Sequence, residues 1–128
     1  MSWMQVAAVS VGASGGALAR WGAGLMLNTK WQGFPLGTLA VNIVGGFLIG
    51  MALEWFGRYP NDMLKLLLVT GFLGGLTTFS SFSGESLSLL QRGEFLMALS
   101  HSAAHVLGSL TAAAAGLKVM QMLTQSLA

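Results

Sequence analysis

Residues 71–85 read Gly-Phe-Leu-Gly-Gly-Leu-Thr-Thr-Phe-Ser-Ser-Phe-Ser-Gly-Glu, and they interrupt an apolar stretch long enough to cross a membrane. Glycines and a series of hydroxyl side chains disfavour an unbroken helix. Irregular backbone at membrane depth is tolerated only inside protein or along a wet cavity, because its polar groups need partners. The pattern therefore predicts a third span at 63–90 that is broken near 74–79. Such a break is a candidate ion or substrate site, and a merely kinked structural helix is the alternative.

The composition is that of a membrane protein. Of 128 residues, 54% are hydrophobic and only 8% are charged, whereas soluble domains carry about 25% charged residues. At roughly 20 residues per crossing, the chain has room for four spans, predicted at 4–27, 36–56, 63–90 and 95–117 of a single domain covering 1–128. The first span is expected to be retained, because no positively charged start of a signal peptide precedes it. A net charge of +2 gives no support for nucleic acid binding.

The first span carries one charge and a pair of glycines. Gly12 and Gly16 have the small-xxx-small spacing that lets helices approach closely. Arg20 is followed by a tryptophan, which favours an arginine that snorkels to the interface; binding of an anion is the alternative. Lys30 and Trp31, in the loop that follows, are predicted interface anchors.

The second and fourth spans each carry a polar stripe. Thr38, Asn42, Gly46 and Gly50 recur every four residues and therefore share one helical face. Asn42 is interpreted either as a hydrogen bond between helices or as a pore residue.

In the fourth span, His101, His105 and Ser109 also repeat every four residues. A metal site is disfavoured, because the chain has no cysteine and the spans hold only two acids, Glu54 and Glu85. A stripe that faces other helices or a wet pathway is favoured, since ionisable groups in membranes rarely face lipid.

The positive charges are balanced between the two sides of the predicted topology. Arg58, Lys65 and Lys118 lie on one side, and Arg20, Lys30 and Arg92 on the other. Orientation follows from an imbalance of such charges, so we expect the chain to insert both ways up. Two opposite copies can then form an antiparallel dimer, a two-chain version of an inverted repeat.

The broken span offers donors for an anion and acceptors for a cation. Hydroxyl and amide groups can replace water around a small anion, and the ring edges of Phe79 and Phe82 are electropositive. The alternative is that these two rings only pack against neighbouring side chains. Carbonyls freed at residues 74–77 can coordinate a cation. Glu85 is unusual beside an anion path and is interpreted as an interface group or a gate. No arrangement of residues suggests catalysis, so the protein is not expected to be an enzyme.

These residues resemble those of the small bacterial fluoride channels, the Fluc or CrcB family. The stretch 71–85 is similar to their third-span signature, 37–46 (Gly-Thr-Leu-Ala-Val-Asn-Ile-Val-Gly-Gly) to their second-span motif, and 16–21 (Gly-Ala-Leu-Ala-Arg-Trp) to the end of their first span. The resemblance extends over essentially the whole chain. It implies an antiparallel, dual-topology homodimer in the bacterial inner membrane, with two pathways that passively conduct fluoride out of the cell.

The resemblance also implies roles for individual residues. Asn42 matches the pore asparagine, and Phe79 and Phe82 match the phenylalanines whose edges meet fluoride. The backbone carbonyls of Gly74 and Thr77, from both chains, match a central structural sodium site. The remaining implied pathway residues are Thr38, Ser81, Ser109 and, at the vestibule, Arg20. Glu85 is a further pathway candidate, through its interpretation as a gate.

The chain departs from the family pattern at His101 and His105, where relatives can carry a tyrosine and a serine. Both histidines can donate hydrogen bonds, so a polar track is retained. Because histidine gains a proton near neutral pH, conduction that depends on pH is a hypothesis.

Two other functions are weighed against the channel. A proton-coupled, dual-topology transporter of four spans uses an acidic residue in its first span, and this first span has none. A non-transporting accessory subunit accounts for the glycines. It does not account for the polar groups in crossing helices, which are costly in lipid.

Overall fold

The structure, a computed structural model, describes residues 1–30 and 33–127. Throughout these residues the secondary structure is helical, which confirms the predicted all-α class. In chain order the helices are α1 (Trp3–Leu27), α2 (Leu36–Arg58), α3 (residues 62–76), α4 (Phe79–Gln91) and α5 (Phe95–Gln125). Trp31, the predicted interface anchor, lies outside the described residues.

Local sequence sets the helix ends. Before α1, the Ser2 side chain accepts a hydrogen bond from the Gln5 N–H and the Gln5 side chain accepts one from the Ser2 N–H, which is a capping box. Before α3, the Asn61 side chain accepts from the Leu64 N–H at 3.0 Å. The turn between α4 and α5 contains Gly93 at φ +76°, a conformation that glycine adopts without strain.

The interrupted segment 62–91 has three parts. It begins as an α-helix at Asp62–Lys65, continues as a π-helix over Leu66–Leu73, and ends its first half with one turn at Gly74–Leu76. Thr77 and Thr78 are extended, with ψ of 155° and 123°, before α4 begins. The π-helical stretch was not predicted from the sequence; such stretches are frequent near functional sites.

Glycines bring two helix pairs into backbone contact. A Cβ atom on Gly12 or Gly16 would collide with the backbone of α3, so the predicted small-residue pair of α1 does mediate a close approach. A Cβ on Gly50 or Gly116 would likewise collide across the contact of α2 with α5. The chain therefore consists of an α1–α3 pair and an α2–α5 pair, with α2 touching α1, α3 and α4, and α4 lying against α5.

Within the described part of the chain, three helical segments are long and apolar enough to cross a membrane: Leu36–Arg58, Asp62–Gln91 and Phe95–Gln125. Helix α1 is long enough, with 25 residues, but is not among these three. The last helix extends to Gln125, beyond the predicted end of its span at Leu117. Large apolar side chains such as Leu18, Leu99 and Leu110 are exposed, as expected for a surface covered by lipid rather than by water.

Candidate functional site

The interruption between α3 and α4 is held open by helix α2. Asn42 Nδ2 donates to the Thr78 carbonyl at 3.0 Å, and Asn42 Oδ1 accepts from the Thr78 N–H at 2.8 Å. One amide thus satisfies both backbone groups of an extended residue at membrane depth, which removes the main cost of interrupting a helix there. Gly45 makes room for the methyl group of Thr77 one turn further along α2.

The break also redirects backbone groups. In a continuous helix the Gly74 carbonyl would accept from the Thr78 N–H, but that N–H donates to Asn42. The Thr77 carbonyl would accept from the Ser81 N–H, which instead donates to the Thr78 side chain at 3.1 Å as the N-cap of α4. Both carbonyls therefore lack their helical donors, and oxygens of this type suit a hard cation.

Arg20 stabilises the same break from the opposite side. Its Nε donates to the Gly75 carbonyl at 3.0 Å, across from α1 to the last turn of α3. A cation near a helix C-terminus is favourable, because carbonyl groups at that end lack partners. The expectation of an arginine that only snorkels to the interface is therefore incomplete: Arg20 is bonded to protein within the bundle. It does not line either cavity described below.

A groove of about 480 Å³ runs along the break. It collects the greater part of the residues predicted from the sequence, from α2, from the break and from α5. Those that line it are Asn42, Gly74, Thr77, Phe79, Phe82, His105 and Ser109. The Phe79 side chain is largely exposed, at 79%, so one wall of the groove is left uncovered by this chain.

A second cavity, of about 560 Å³, lies near the α4–α5 turn. Ser81 and Glu85 line it together with Asn28 and Arg92. Unlike the groove, it has charged side chains of both signs at its wall. It shares no lining residue with the groove.

A cluster of aromatic rings borders both cavities. Phe82 stacks on His101, with centroids 5.2 Å apart and planes within 7°, and lies 4.8 Å from His105. The two histidine rings are 4.6 Å apart, and Phe34 packs edge-on to His101 at 5.4 Å. The groove reaches this cluster through Phe82 and His105, and the second cavity reaches it through Phe34 and Glu85. The ring cluster therefore connects the linings of the two cavities.

Glu85 is held at the cluster by two hydrogen bonds. The hydroxyl of Thr38 donates to one carboxylate oxygen at 2.6 Å, and His101 Nε2 lies 3.0 Å from the other. His101 is fully buried, and its Nδ1 is 2.8 Å from the Ser86 hydroxyl. Thr38 and His101 do not line the second cavity themselves, but they position Glu85, which does. Sequence reasoning missed Ser86 and Thr78, whose partners are distant in the chain.

His105 completes the cluster. Its Nδ1 lies 3.0 Å from Asn42 Nδ2, and its Nε2 is buried without a hydrogen-bond partner among the described residues. One ligand atom each of Glu85, His101 and His105 falls within 4.8 Å of the others. Helical spacing could not place Glu85 beside the histidines, because Glu85 lies on a different helix.

Proteins of one family are similar to this chain over most of its length. The family model described as "CrcB-like protein, Camphor Resistance (CrcB)" matches residues 7–117. A protein of Tolumonas auensis named fluoride-specific ion channel FluC is 49% identical over 123 residues, which cover 94% of this chain and 97% of the relative. Proteins with the same name from Aromatoleum aromaticum (54% over 105 residues, 80% of each chain) and Pseudomonas putida (50% over 112 residues, 86% of this chain and 88% of the relative) are also similar.

Proposed function

Because this chain belongs to the CrcB-like family, we propose that it is a fluoride-selective channel that conducts the ion passively between the groove and the second cavity. The observation that carries the proposal is the lining of the groove: it presents uncharged donors and aromatic rings beside a break in a membrane-spanning segment. Relatives that the chain matches over most of its length are named fluoride-specific channels.

The chemistry of the lining favours a small anion. The hydroxyls of Ser109 and Thr78 can donate hydrogen bonds without binding the ion by full charge, which permits both entry and release. Phe79 and Phe82 lie 5.5 Å apart by ring centroid and have electropositive edges. The first turn of α4 starts at the groove, and its partial positive charge favours an anion.

The ring cluster supplies selectivity in this proposal. Between the two cavities the ion passes Phe82, His101 and His105, where close-packed rings exclude water. A site built to donate to a small ion discriminates against a larger one that cannot approach the donors as closely. Glu85 remains clear of the ion as long as Thr38 and His101 hold its carboxylate.

We further propose that the functional unit is an antiparallel dimer of this chain. The positive charges do not favour one orientation, and α1 is expected to cross the membrane as a fourth span. A second copy would cover the uncovered wall of the groove at Phe79. Each of the two pathways would then be formed by both chains.

A structural sodium ion at the dimer centre is part of this proposal. The Gly74 and Thr77 carbonyls border the groove and have lost their helical donors, so they fit a cation that prefers oxygen ligands. Bound there by both copies, the ion would hold the two breaks together. The proposed location is the bacterial inner membrane, with fluoride leaving the cytoplasm down its gradient.

The test is ion efflux from liposomes that contain only the purified protein. Fluoride and chloride loss are followed by electrode, with sodium present or replaced by N-methyl-D-glucamine, and each condition is repeated with and without a pH gradient. We expect fast fluoride loss, little chloride loss, and a decline when sodium is absent.

Each alternative predicts another result. Fluoride loss only under a proton gradient would indicate a proton-coupled transporter, and no flux under any condition would indicate an accessory subunit. Retained flux after replacement of sodium would remove only the sodium site from the proposal.

A further inference from the structure

The hydrogen bonds of Asn42 define the proton position on His105. The amide of Asn42 cannot be reversed, because its oxygen accepts from the Thr78 N–H while its nitrogen donates to the Thr78 carbonyl. The group that faces His105 Nδ1 at 3.0 Å is therefore an N–H donor. Nδ1 must accept this bond, and an imidazole that accepts at Nδ1 carries its proton on Nε2.

His105 Nε2 is thus a buried N–H donor. It has no acceptor among the described residues, although His105 is only 5% exposed. Buried donors are nearly always paired, so an unpaired one points to a partner from outside the chain, such as an ion. The ring that carries it packs against Phe82 and His101, in the cluster that borders both the groove and the second cavity.

We propose that Asn42 is a positioning residue that locks His105 in its Nε2–H tautomer, and that this N–H is donated to the anion as it passes Phe82. The inference rests on the proposed function and assigns one donor atom to it. Since Nε2 is buried, the anion meets it only when a neighbouring ring moves aside. Chloride, with its larger radius, requires a wider opening.

The same geometry argues against a metal at Glu85, His101 and His105, although their ligand atoms are close enough. A metal needs the lone pair of Nε2, and the ring proton would then move to Nδ1. There it would point at the N–H of Asn42. Asn42→Asp reverses this condition, because a carboxylate accepts from Nδ1–H and leaves Nε2 free to bind metal.

The first experiment reads the tautomer directly. The protein is labelled with ¹⁵N-histidine, in lipid, without fluoride; only two histidines are present, and His105→Gln identifies the His105 signals by their loss. We expect a protonated Nε2 and a bare Nδ1 for His105, and a shift of the Nε2 signal on adding fluoride but not chloride. A proton on Nδ1, on both nitrogens, or a fluoride-insensitive Nε2 in protein that still conducts fluoride would each overturn the inference while leaving the channel intact.

The second experiment uses two substitutions that each keep one half of the imidazole. The amide nitrogen of His105→Gln can replace the Nε2–H donor, whereas the amide of His105→Asn can reach only the position of Nδ1. Loss of a hydrogen bond to an ion predicts fluoride flux lower by roughly tenfold to a hundredfold for His105→Asn, with His105→Gln close to the native protein. Equal flux in both variants would contradict the donor role.

Zinc distinguishes the metal reading. We expect zinc to leave the native protein unaffected and to inhibit Asn42→Asp. Inhibition of the native protein that disappears in His105→Gln would show that Nε2 has a free lone pair, and the inference would be wrong. If the purified protein passes no fluoride at all, the proposed function fails and the anion part of the inference fails with it, while the tautomer is still decided by the first experiment.

Discussion

At the scale of single residues, Asn42 shows how one side chain can serve several parts of a site. Its amide pairs with both backbone groups of Thr78 and with the ring of His105. Sequence spacing placed Asn42 on an interhelical face and left open whether it joins helices or lines a pore. In the structure it contacts another helix and also lines the groove, so the two readings do not exclude each other.

Substitution of Thr38 tests whether its hydrogen bond to Glu85 stabilises the protein. Thr38→Val keeps the shape of the side chain and removes the donor that lies 2.6 Å from the carboxylate. We expect the unfolding free energy to fall by about 1.5–3 kcal/mol, because a hydrogen bond to a charged group is lost in a buried setting. Chemical unfolding in detergent measures it. The matched control is Thr70→Val, at an exposed threonine of α3, where a comparable loss would refute a specific role for the Thr38 bond.

Substitution of Arg20 tests its hydrogen bond to the Gly75 carbonyl, in the last turn of α3. Arg20→Lys keeps the charge but lacks the Nε that donates to Gly75. We expect a loss of about 1.5–3 kcal/mol in unfolding free energy and slower fluoride flux, since the end of α3 is no longer fixed.

The control for Arg20 is Arg58→Lys, in a partly exposed pair with Glu54. That change is expected to cost at most about 1 kcal/mol. Equal, small effects of the two substitutions would restore the interpretation of Arg20 as an arginine that merely snorkels.

At the scale of helices, glycine contacts determine how closely the elements pack. Gly46 and Gly50 face the backbone of α5, as their four-residue spacing predicted, while Gly12 and Gly16 face α3. These contacts were predictable because small residues at a helical period have one main use in membranes. The partner helix was not predictable, since spacing defines a face but not what covers it.

Two glycines of α2 give opposite predictions. Gly50→Ala would push a methyl group into the Ala113 carbonyl, whereas at Gly57 nothing lies within 4 Å. We expect Gly50→Ala to separate α2 from α5 and to lower both stability and flux. Gly57→Ala is expected to stabilise the protein by about 0.4–1 kcal/mol through helix propensity and a less flexible unfolded chain. Thermal unfolding of both variants decides it, and stabilisation by Gly50→Ala would contradict the observed contact.

The third segment shows where sequence reasoning reaches its limit. Glycines and hydroxyls located the interruption near 74–79, and Thr77 and Thr78 are extended. The π-helix before it leaves no comparable pattern, since Thr70 is the one polar side chain in the otherwise apolar stretch Leu66–Leu73. Likewise the bonds from Glu85 to Thr38 and His101 join three helices. No periodicity within one helix encodes such a contact.

At the scale of the whole molecule, the dimer and its topology remain predictions that labelling can test. Because the chain has no cysteine, single substitutions Tyr59→Cys and Glu94→Cys place one thiol in each of two turns. A membrane-impermeant maleimide is applied to intact cells. Balanced charges predict that about half of the protein is labelled at either position. Labelling at one position only would show a single orientation and would exclude an antiparallel dimer of this chain.

The backbone contacts of α1 with α3 and of α2 with α5 also limit which motions this molecule can make, and on which timescale. A carrier exposes its site alternately by rocking one bundle against another, a motion on the order of microseconds to milliseconds. Here glycines lock carbonyl groups of one helix against the next, so sliding would first require separation. The remaining freedom belongs to side-chain rings, and an exposed ring such as Phe79 can change rotamer within nanoseconds. Transport that depends only on ring movement would need no return of the helices to a starting conformation after each ion. The rate of helix motion would then not limit the rate of transport.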